Sequence, residues 1–416
     1  MRIAIIGAGI GGLAAALSLH DAGFRDIRIL ERASEIRGLG VGINLLPHAM
    51  RELSELGLAA RIEAIGVAPR ALSYRNHLGQ EIWTEPRGTA AGYAWPQLSV
   101  HRGRLQLELR DAVQERLGDV VELDRRVVDV QTTADAASVV IERGTGAETI
   151  EADVVIAADG IHSAVRRLRH PADPGPQWSG VTLWRGTARA IPFLDGATMI
   201  MAGDADQRFV AYPIEPADAD GLARINVIAE LREAGTAGAD WNRSVPAGPI
   251  VERFRDWRFD WLDVPGLIAG CDELLEYPMV DLDPIERWSE GRLTLLGDAA
   301  HAMYPQGSNG ASQAIIDGRV LAMNLATETD PVRALAAYER DRRPAMTALL
   351  ESNRGGGPER VMRLAAARAP QGFERIEDVI PYEELVEVAT SFKKAAGFDP
   401  EQLRERPSYS RSEAVR

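Results

Sequence analysis

The chain has 416 residues, of which 45% are hydrophobic and 26% are charged, a composition typical of a globular protein with about two to three domains. Its net charge of -14 argues against a nucleic-acid partner, because binding to a phosphate backbone requires clustered Lys and Arg. Cys271 is the single cysteine, so an intrachain disulfide is excluded, and we expect a cytoplasmic protein. No apolar run reaches the roughly 20 residues of a membrane span, so we expect no membrane partner.

The N-terminal segment predicts a β-α-β unit of a parallel sheet. An apolar strand over Arg2–Ile6 runs into a glycine loop, and an Ala- and Leu-rich helix follows to about Ala22. After Gly23, which is typical of a helix terminus, a second strand covers Ile27–Glu31. This order of strand, loop, helix and strand is the setting in which a glycine-rich loop binds a dinucleotide.

The loop itself carries a GxGxxG fingerprint. Gly7 permits the tight turn, Gly9 lets the backbone approach a pyrophosphate, and Gly12 lets the helix pack closely on the strand. The helix N-terminus offers N–H groups and the positive end of its dipole to the phosphates. Glu31, at the end of the second strand, is placed to bind ribose hydroxyls. The unit therefore predicts a dinucleotide site, but it does not separate FAD from NAD.

Later segments alternate between helical and strand patterns. We predict a helix near Pro47, a hairpin in residues 71–98, a helix from Arg102 and a buried strand at Asp153–Ala158. Repeated strand patterns predict an antiparallel sheet at Val181–Arg189, Thr198–Ala202, Arg208–Tyr212 and Ala223–Ala229. A strand at Arg292–Leu296 and helices at about 309–327 and 331–350 return to the first pattern.

These elements predict an α/β fold with a discontinuous Rossmann-like domain. We expect the dinucleotide-binding domain in residues 1–70, 99–175 and 280–350. A β-rich substrate domain, an inserted antiparallel sheet, is expected in residues 71–98 and 176–279. Residues 351–416 follow the C-terminal helices as a charged, irregular tail with one helix near Glu383–Ser391.

Three further loops carry groups suited to a cofactor. Asp159 and Asp298 each follow a buried strand, where a carboxylate suits polyol hydroxyls such as those of a ribityl chain, although a simple helix cap explains each equally well. Gly40–Asn44 contains two glycines spaced by one residue, which suit a backbone lying beside a planar ring. The alternative for this loop is an ordinary turn before the helix at Pro47.

In chain order, these motifs resemble those of the single-component, group A FAD-dependent aromatic hydroxylases, the p-hydroxybenzoate and salicylate hydroxylase family. The resemblance rests on GxGxxG with Glu31-Arg32, on a DG motif in residues 158–163 and on a GD motif in residues 297–301, and it covers roughly residues 1–345. Within the family, residues 35–44, 99–106, 277–283 and 307–317 are most similar to members that modify phenazine carboxylates.

The resemblance implies FAD as the cofactor and NADH or NADPH as the co-substrate. In this family NAD(P)H reduces the flavin, O2 adds to it, and the resulting C4a-hydroperoxide transfers an OH group to an aromatic ring. The implied substrate is a small aromatic or N-heteroaromatic compound, and whether it is a carboxylate that loses CO2 stays open. The implied protein is a monomer or a homodimer.

Carried onto matching positions, the resemblance assigns the cofactor site to Gly7, Ala8, Gly9, Gly12, Glu31, Arg32, Gly42, Arg102, Val127, Asp159, Asp298, Gly310 and Ala311. Arg102 would reach the phosphate and ribityl region, Val127 the adenine, and Asp298 the ribityl chain. Asp159 would lie between the pyrophosphate and the path of the nicotinamide cofactor. Gly310 and Ala311, at a helix start, would present N–H groups to the pyrimidine edge of the flavin.

Candidate substrate contacts are less constrained by the sequence. Trp184, Tyr212 and Tyr304 are candidate walls of a pocket, with core packing as the alternative for each. Arg185 or Arg208 could bind a substrate carboxylate, although the sequence favours solvated surface arginines. No catalytic base is predicted.

No metal is predicted either. His48, His101, His162 and His301 lie in or beside motifs, but they lack the spacing of a metal site. Three other functions share part of the pattern: an NAD-linked dehydrogenase, a flavin-dependent halogenase and a non-catalytic flavin-binding interaction protein. A dehydrogenase leaves the DG and GD motifs unexplained, and the sequence has no GWxWxIP-type halogenase motif.

Overall fold

The structure is a computed structural model that describes residues 1–143, 146–233, 243–356, 359–395 and 399–410. The helices are α1 Ile10–Asp21, α2 Pro47–Glu55, α3 Ala59–Glu63, α4 Arg102–Leu117, α5 Ala164–Arg169, α6 Gly248–Arg253, α7 Val264–Ala269, α8 Asp298–His301, α9 Gly310–Thr327, α10 Pro331–Arg354, α11 Arg360–Arg368, α12 Tyr382–Ala395 and α13 Pro400–Glu405. None of these described helices combines the length and the apolar character needed to cross a bilayer.

The strands of the first half of the chain are β1 Arg2–Ile6, β2 Asp26–Leu30, β3 Gly42–Leu45, β4 Gly66–Val67, β5 Ala71–Arg75, β6 Glu81–Pro86, β7 Leu98–His101, β8 Val121–Glu122, β9 Arg126–Thr132, β10 Ala137–Arg143, β11 Gly146–Ala152 and β12 Val154–Ala157. Those of the second half are β13 Gln177–Ala190, β14 Thr198–Gly203, β15 Gln207–Glu215, β16 Ala223–Arg232, β17 Arg243–Val245, β18 Arg258–Phe259, β19 Leu262–Asp263, β20 Cys271–Asp281, β21 Ser289–Glu290 and β22 Leu293–Leu295.

A six-stranded sheet has the order β21-β22-β12-β1-β2-β8 and is parallel except for β21. Its central strands β1 and β12 are apolar over almost their whole length because both of their faces are covered. Helix α1 packs between this sheet and α9, and α4 packs beside it. The predicted β-α-β unit is confirmed, and β1, β12 and β22 all end on the same edge of the sheet.

An eight-stranded sheet has the order β17-β20-β13-β16-β15-β14-β5-β6. Its pairs are antiparallel except β14 with β5, which are parallel because the hairpin of β5 and β6 joins the sheet from a distant part of the chain. One face packs on α6 and α7 through Ile250, Phe254 and Leu267. The other face is turned toward the carboxyl ends of β1, β12 and β22.

The C-terminal segment differs from the irregular tail that the composition predicts. Besides the predicted helix, now bounded as α12, it forms α11 and α13. Met362 of α11 and Leu385 of α12 are buried in one cluster with Leu72 of β5, and Leu403 of α13 is buried in the core around α1 and α2. Short apolar stretches between many charges gave too weak a periodicity to predict this packing.

A buried ion cluster ties the last described residues to the core. Arg319 of α9, with a side chain 1% exposed, donates to Glu52 at 3.2 Å, to Glu55 at 3.1 Å and to Asp21 at 3.3 Å. The same guanidinium donates to the hydroxyl of Ser410 at 2.6 Å. Because a buried charge is tolerated only with partners, this cluster couples α1, α2 and α9 to the C-terminal segment.

We predict that Arg319→Met lowers the free energy of unfolding by about 3 to 5 kcal/mol, because Glu52 loses a buried partner. Urea denaturation followed by tryptophan fluorescence measures the change. The matched control is Arg333→Met, since Arg333 is 73% exposed and lies 3.6 Å from Glu328, and its effect should stay within about 0.5 kcal/mol. Equal effects of the two substitutions would contradict this account of the cluster.

Candidate functional site

A cavity of about 360 Å³ lies between the two large sheets. On one side it is lined by the loops after β1, β12 and β22, represented by Gly9, Gly160 and Asp298. On the other side it is lined by the exposed face of the eight-stranded sheet. The carboxyl edge of a parallel sheet is where ligands of α/β folds bind, since the loops diverge there.

The glycine loop places its three glycines in three different environments. Gly7 has φ +102°, and a Cβ there would stand 2.5 Å from the carbonyl oxygen of Ala158. A Cβ at Gly12 would stand 2.0 Å from the carbonyl oxygen of Gly7, so this position accepts no larger residue. A Cβ at Gly9 would meet nothing within 4 Å, because Gly9 faces the open cavity at the N-terminus of α1. The arrangement leaves room for a phosphate group in front of Gly9.

Glu31 lies directly beside this loop. Its Oε2 accepts a hydrogen bond from the Ala8 N–H at 2.8 Å, and its Oε1 accepts one from the Ala33 N–H at 2.9 Å. The Ala8 carbonyl in turn accepts from Gln106 at 2.8 Å. The carboxylate is therefore fixed next to the glycines by backbone N–H groups, while its neighbour Arg32 is exposed.

Asp159 uses one of its two carboxylate oxygens to cap a helix. Its Oδ2 caps α5 by accepting from the Ala164 N–H at 2.8 Å, whereas its buried Oδ1 has no hydrogen-bond partner among the described residues. Burial raises the pKa of Asp159. One oxygen thus holds the helix, and the other is available to a ligand hydroxyl.

Asp298 is exposed at the start of α8 and lines the cavity together with Gly310 and Ala311 at the start of α9. A Cβ at Gly310 would stand 3.9 Å from Oδ1 of Asp298, so the carboxylate and the N-terminus of α9 are neighbours. A helix N-terminus and a free carboxylate side by side offer donors to negative charge and an acceptor to hydroxyls.

A buried cluster that sequence reasoning missed holds the GD motif in place. Asp317 of α9 accepts from the Gly297 N–H at 3.0 Å, contacts His301 Nε2 at 2.6 Å and accepts from Arg342 Nε at 2.7 Å. Burial opposes the charge of Asp317, but His301 and Arg342 outweigh it and lower its pKa to about 2. His301 therefore helps to hold this motif in place through Asp317. In the sequence, its position beside the motif was the only signal of this role.

The loop Gly40–Asn44 is fastened to the eight-stranded sheet. The Gly42 N–H donates to Asn226 Oδ1 at 2.7 Å, and its carbonyl accepts from Arg185 Nη2 at 3.0 Å. A Cβ at Gly42 would stand 2.6 Å from Cβ of Asn226, so the close approach requires glycine. Arg102 begins α4 on the other side of this loop and also lines the cavity. Asn226 gave no signal in the sequence, because a lone Asn within a strand pattern has no motif.

Strand alternation decides which side chains of the sheet reach the cavity. Leu183 and Arg185 of β13 line it, whereas Trp184 between them lies in the core on the opposite face and donates to Glu276 at 2.9 Å. The prediction that Trp184 forms a wall of the pocket is therefore wrong. Alternate residues of a strand face opposite sides of the sheet, and Trp184 faces away from the cavity. Tyr212 and Tyr304 do line the cavity.

Arg208 and Arg185 both differ from the solvated surface arginines that the sequence favoured. Arg208 has a side chain only 12% exposed and pairs with Glu230 and Glu359. The Nε of Arg185 is buried without a hydrogen-bond partner among the described residues. Val127, in contrast, packs in the core with β9 and does not line the cavity.

Strand register gives the cavity floor a scale. Asn226 and Glu230 lie on the same face of β16, four residues apart, which corresponds to about 13 Å. Arg185 pairs with Ile228 between them, and Arg208 pairs with Glu230. Asn226, which contacts the Gly42 loop, and Glu230, which pairs with Arg208, therefore mark two points of the floor about 13 Å apart.

A free phosphate-sized space at Gly9, an unpaired Oδ1 on Asp159 and the carboxylate of Asp298 beside a helix start fit an extended dinucleotide. A family model for an FAD binding domain matches residues 1–205 and 282–353. The phenazine 1,6-dicarboxylic acid hydroxylase PhzS of Lysobacter antibioticus is 47% identical over 361 residues, covering 85% of this chain and 89% of that protein. The chain belongs to the FAD-dependent aromatic hydroxylases.

Other aromatic hydroxylases support the same assignment. The 3-hydroxybenzoate 6-hydroxylase 1 of Aquipseudomonas alcaligenes is 31% identical over 82% of this chain and 84% of its own. The crystal structure of Klebsiella pneumoniae HpxO with FAD and uric acid matches with a TM-score of 0.76 at 24% identity, covering 98% of this chain and 97% of that one. A salicylate hydroxylase substrate complex matches with a TM-score of 0.74 at 21% identity over 97% of both chains. These two structures show the fold, and FAD is the cofactor of this aromatic hydroxylase.

We predict that Gly9→Val weakens FAD binding by at least about tenfold, because the side chain would fill the space in front of the α1 N-terminus. Flavin content after dialysis and the dissociation constant from flavin fluorescence measure the loss. Gly248→Val is the matched control, since a Cβ there also meets nothing within 4 Å but lies outside the cavity. Unchanged flavin affinity in the Gly9 variant would contradict the placement of the pyrophosphate.

Proposed function

We propose that the protein hydroxylates a planar N-heteroaromatic carboxylic acid of the phenazine class, with NAD(P)H and O2 as co-substrates. The observation that carries the proposal is the cavity floor, which is lined by apolar side chains along its middle and also carries two partly buried arginines, Arg185 and Arg208. The relative that is 47% identical is named for phenazine 1,6-dicarboxylic acid, whose two carboxylates stand on different outer rings and point in opposite directions.

The apolar part of the floor suits an aromatic ring system. Its side chains come from five neighbouring strands, namely Leu72, Leu183, Met199, Met201, Val210 and Ile228. Apolar walls exclude water from the reacting ring, and the flexible thioethers adapt to its outline. A fused heteroaromatic ring makes use of this length, whereas a single ring would leave part of the floor uncovered.

Arg185 is proposed to bind the substrate at the cofactor end. Its Nη2 is engaged by the Gly42 carbonyl, and its Nε still lacks a partner among the described residues. A partly buried guanidinium whose Nε has no partner among the described residues favours an anionic or acceptor group of the substrate next to the Gly42 loop. Arg185 would thereby set which ring edge faces the flavin.

When bound, FAD supplies the redox and oxygen-transfer chemistry, and the chain supplies orientation and a dry site. Burial raises the pKa of Tyr212 to about 12, and burial also raises that of Tyr304 to about 12. Both phenols thus stay protonated near neutral pH and can donate hydrogen bonds, but they are poor bases. This agrees with a reaction in which the chain needs no dedicated base.

We propose that the two domains predicted from the sequence bind different ligands. Residues 1–70, 99–175 and 280–350 would hold FAD, and residues 71–98 and 176–279 would hold the substrate. Glu31, Asp159 and Asp298 are proposed to bind hydroxyls of the cofactor, and Gly310 with Ala311 its flavin ring. The single cysteine supports a cytoplasmic location.

The direct test incubates the FAD-loaded protein with phenazine-1,6-dicarboxylate, phenazine-1-carboxylate, salicylate or 6-hydroxynicotinate, each with NADH or NADPH in air. We expect the phenazine carboxylates to stimulate NAD(P)H oxidation and O2 uptake most strongly and to gain one oxygen atom by mass spectrometry. The product mass also shows whether CO2 is lost. NAD(P)H oxidation without any oxygenated aromatic product would sink the proposal.

For a productive substrate, we predict that Arg185→Gln raises KM by about tenfold or more, because it removes a charge-assisted hydrogen bond. Steady-state oxygen uptake measures the effect. Arg189→Gln is the matched control, since Arg189 lies on the same strand, is 48% exposed and pairs with Asp218. If both variants keep the KM of the unmodified protein, Arg185 has no role in substrate binding.

A further inference from the structure

The end of the cavity farthest from the Gly42 loop is closed by a cluster of opposite charges. Arg208 of β15 donates through Nε to Glu230 of β16 at 2.8 Å, and its Nη2 also contacts Glu230. Its Nη1 donates to Glu359, which immediately precedes α11. Arg208, Glu230 and Glu359 all line the cavity. The C-terminal segment thus brings a carboxylate into the substrate site.

The two carboxylates hold Arg208 in unequal ways. Glu230 pairs with Arg208 in strand register and engages two of its nitrogens, so it belongs to the rigid sheet. Glu359 engages one nitrogen and comes from a different segment, 151 residues away in the chain. Nη1 is therefore the exchangeable face of this guanidinium, and another carboxylate could take the place of Glu359 there.

The buried position of Glu359 and the neighbouring carboxylate of Glu230 both disfavour a negative charge on Glu359. The groups that face it are Arg208, Glu230, Arg363 of α11 and Tyr74 of β5, with Arg87 and Glu85 of β6 behind Tyr74. Burial raises the pKa of Glu359, Glu230 adds to this, and Arg208 and Arg363 oppose it. Without its contact to Arg208, the charged form of the buried Glu359 would no longer be compensated for its desolvation. Glu359 would therefore take up a proton.

We propose that Glu359 is an internal stand-in for a substrate carboxylate, which displaces it from Nη1 of Arg208 while Glu359 takes up one proton. No bond other than the O–H bond of Glu359 forms, and the proton comes from solvent. The inference rests on the proposed function, and it deepens that function by assigning the carboxylate remote from the flavin to Arg208. A substrate with two oppositely directed carboxylates would then engage Arg185 and Arg208 together.

The exchange gives substrate binding a defined pH dependence. Uptake requires Glu359 to be charged before binding and neutral afterwards, so it occurs above the pKa of Glu359 in the free protein and below its higher pKa in the complex. Below this window Glu359 is already neutral, and binding takes up no proton. Within the window, apparent affinity falls as pH rises, because the proton must come from an increasingly dilute pool.

The test is calorimetric titration of the FAD-loaded protein, without NAD(P)H, with phenazine-1,6-dicarboxylate in buffers of different ionisation enthalpy, from about pH 6 to about pH 9. We expect uptake of about one proton per bound ligand within the window. Parent phenazine, which lacks carboxylates, should bind without proton uptake. This comparison uses the unmodified protein and does not depend on how any variant folds.

Glu359→Gln removes the titrating group while keeping its shape. We expect it to abolish proton uptake and to tighten dicarboxylate binding by about tenfold, since a neutral amide competes poorly for Arg208. Glu383→Gln, an exposed position on α12, is the matched control and should leave both quantities unchanged.

The possible outcomes separate this inference from the proposed function. Hydroxylation of a phenazine carboxylate together with no proton uptake in the unmodified protein would overturn the exchange at Glu359 and leave the proposed function standing. Persistent uptake in the Glu359 variant would also overturn it, by locating the proton elsewhere. If no aromatic carboxylate binds, the proposed function and this inference fail together.

Discussion

The two hydrogen bonds of Gly42 set the geometry on which the rest of the site depends. They join the loop after the first β-α-β unit to Asn226 and Arg185 of the eight-stranded sheet, at donor–acceptor distances of 2.7 and 3.0 Å. Because a Cβ at position 42 would stand 2.6 Å from Cβ of Asn226, the contact needs a glycine there. The close approach of this loop to the eight-stranded sheet thus depends on a glycine at position 42.

Buried ions play a structural part at three places, and each solves a different problem. Asp317 accepts a hydrogen bond from the Gly297 N–H, Arg319 joins the C-terminal segment to the core, and Arg208 lies at one end of the cavity. In each case removing one partner would leave a charge in a low-dielectric region. Of the three, Arg208 is the one that lines the cavity between the two large sheets.

Local signals in the sequence were enough to predict the glycine loop. Gly7, Gly9 and Gly12 follow one another within a single loop, so their spacing alone predicts the turn that the structure shows. The substrate half depends on partners that are remote in sequence, such as Glu359 for Arg208, and on strand phase, which separates Trp184 from Arg185. Neither strand register nor the pairing of residues remote in sequence can be predicted from composition. The hydrophobic periodicity of the C-terminal segment was too weak to predict α11.

The parallel pairing of β5 with β14 has a consequence for how the chain assembles. Residues 71–75 must wait for residues 198–203 before their outer edge is covered, and Glu359 arrives later still. During synthesis the hairpin of β5 and β6 therefore exposes an unpaired strand edge while more than a quarter of the chain is being made. The lining of the cavity is therefore complete only after Glu359 has been made, long after the glycine loop of residues 7–12.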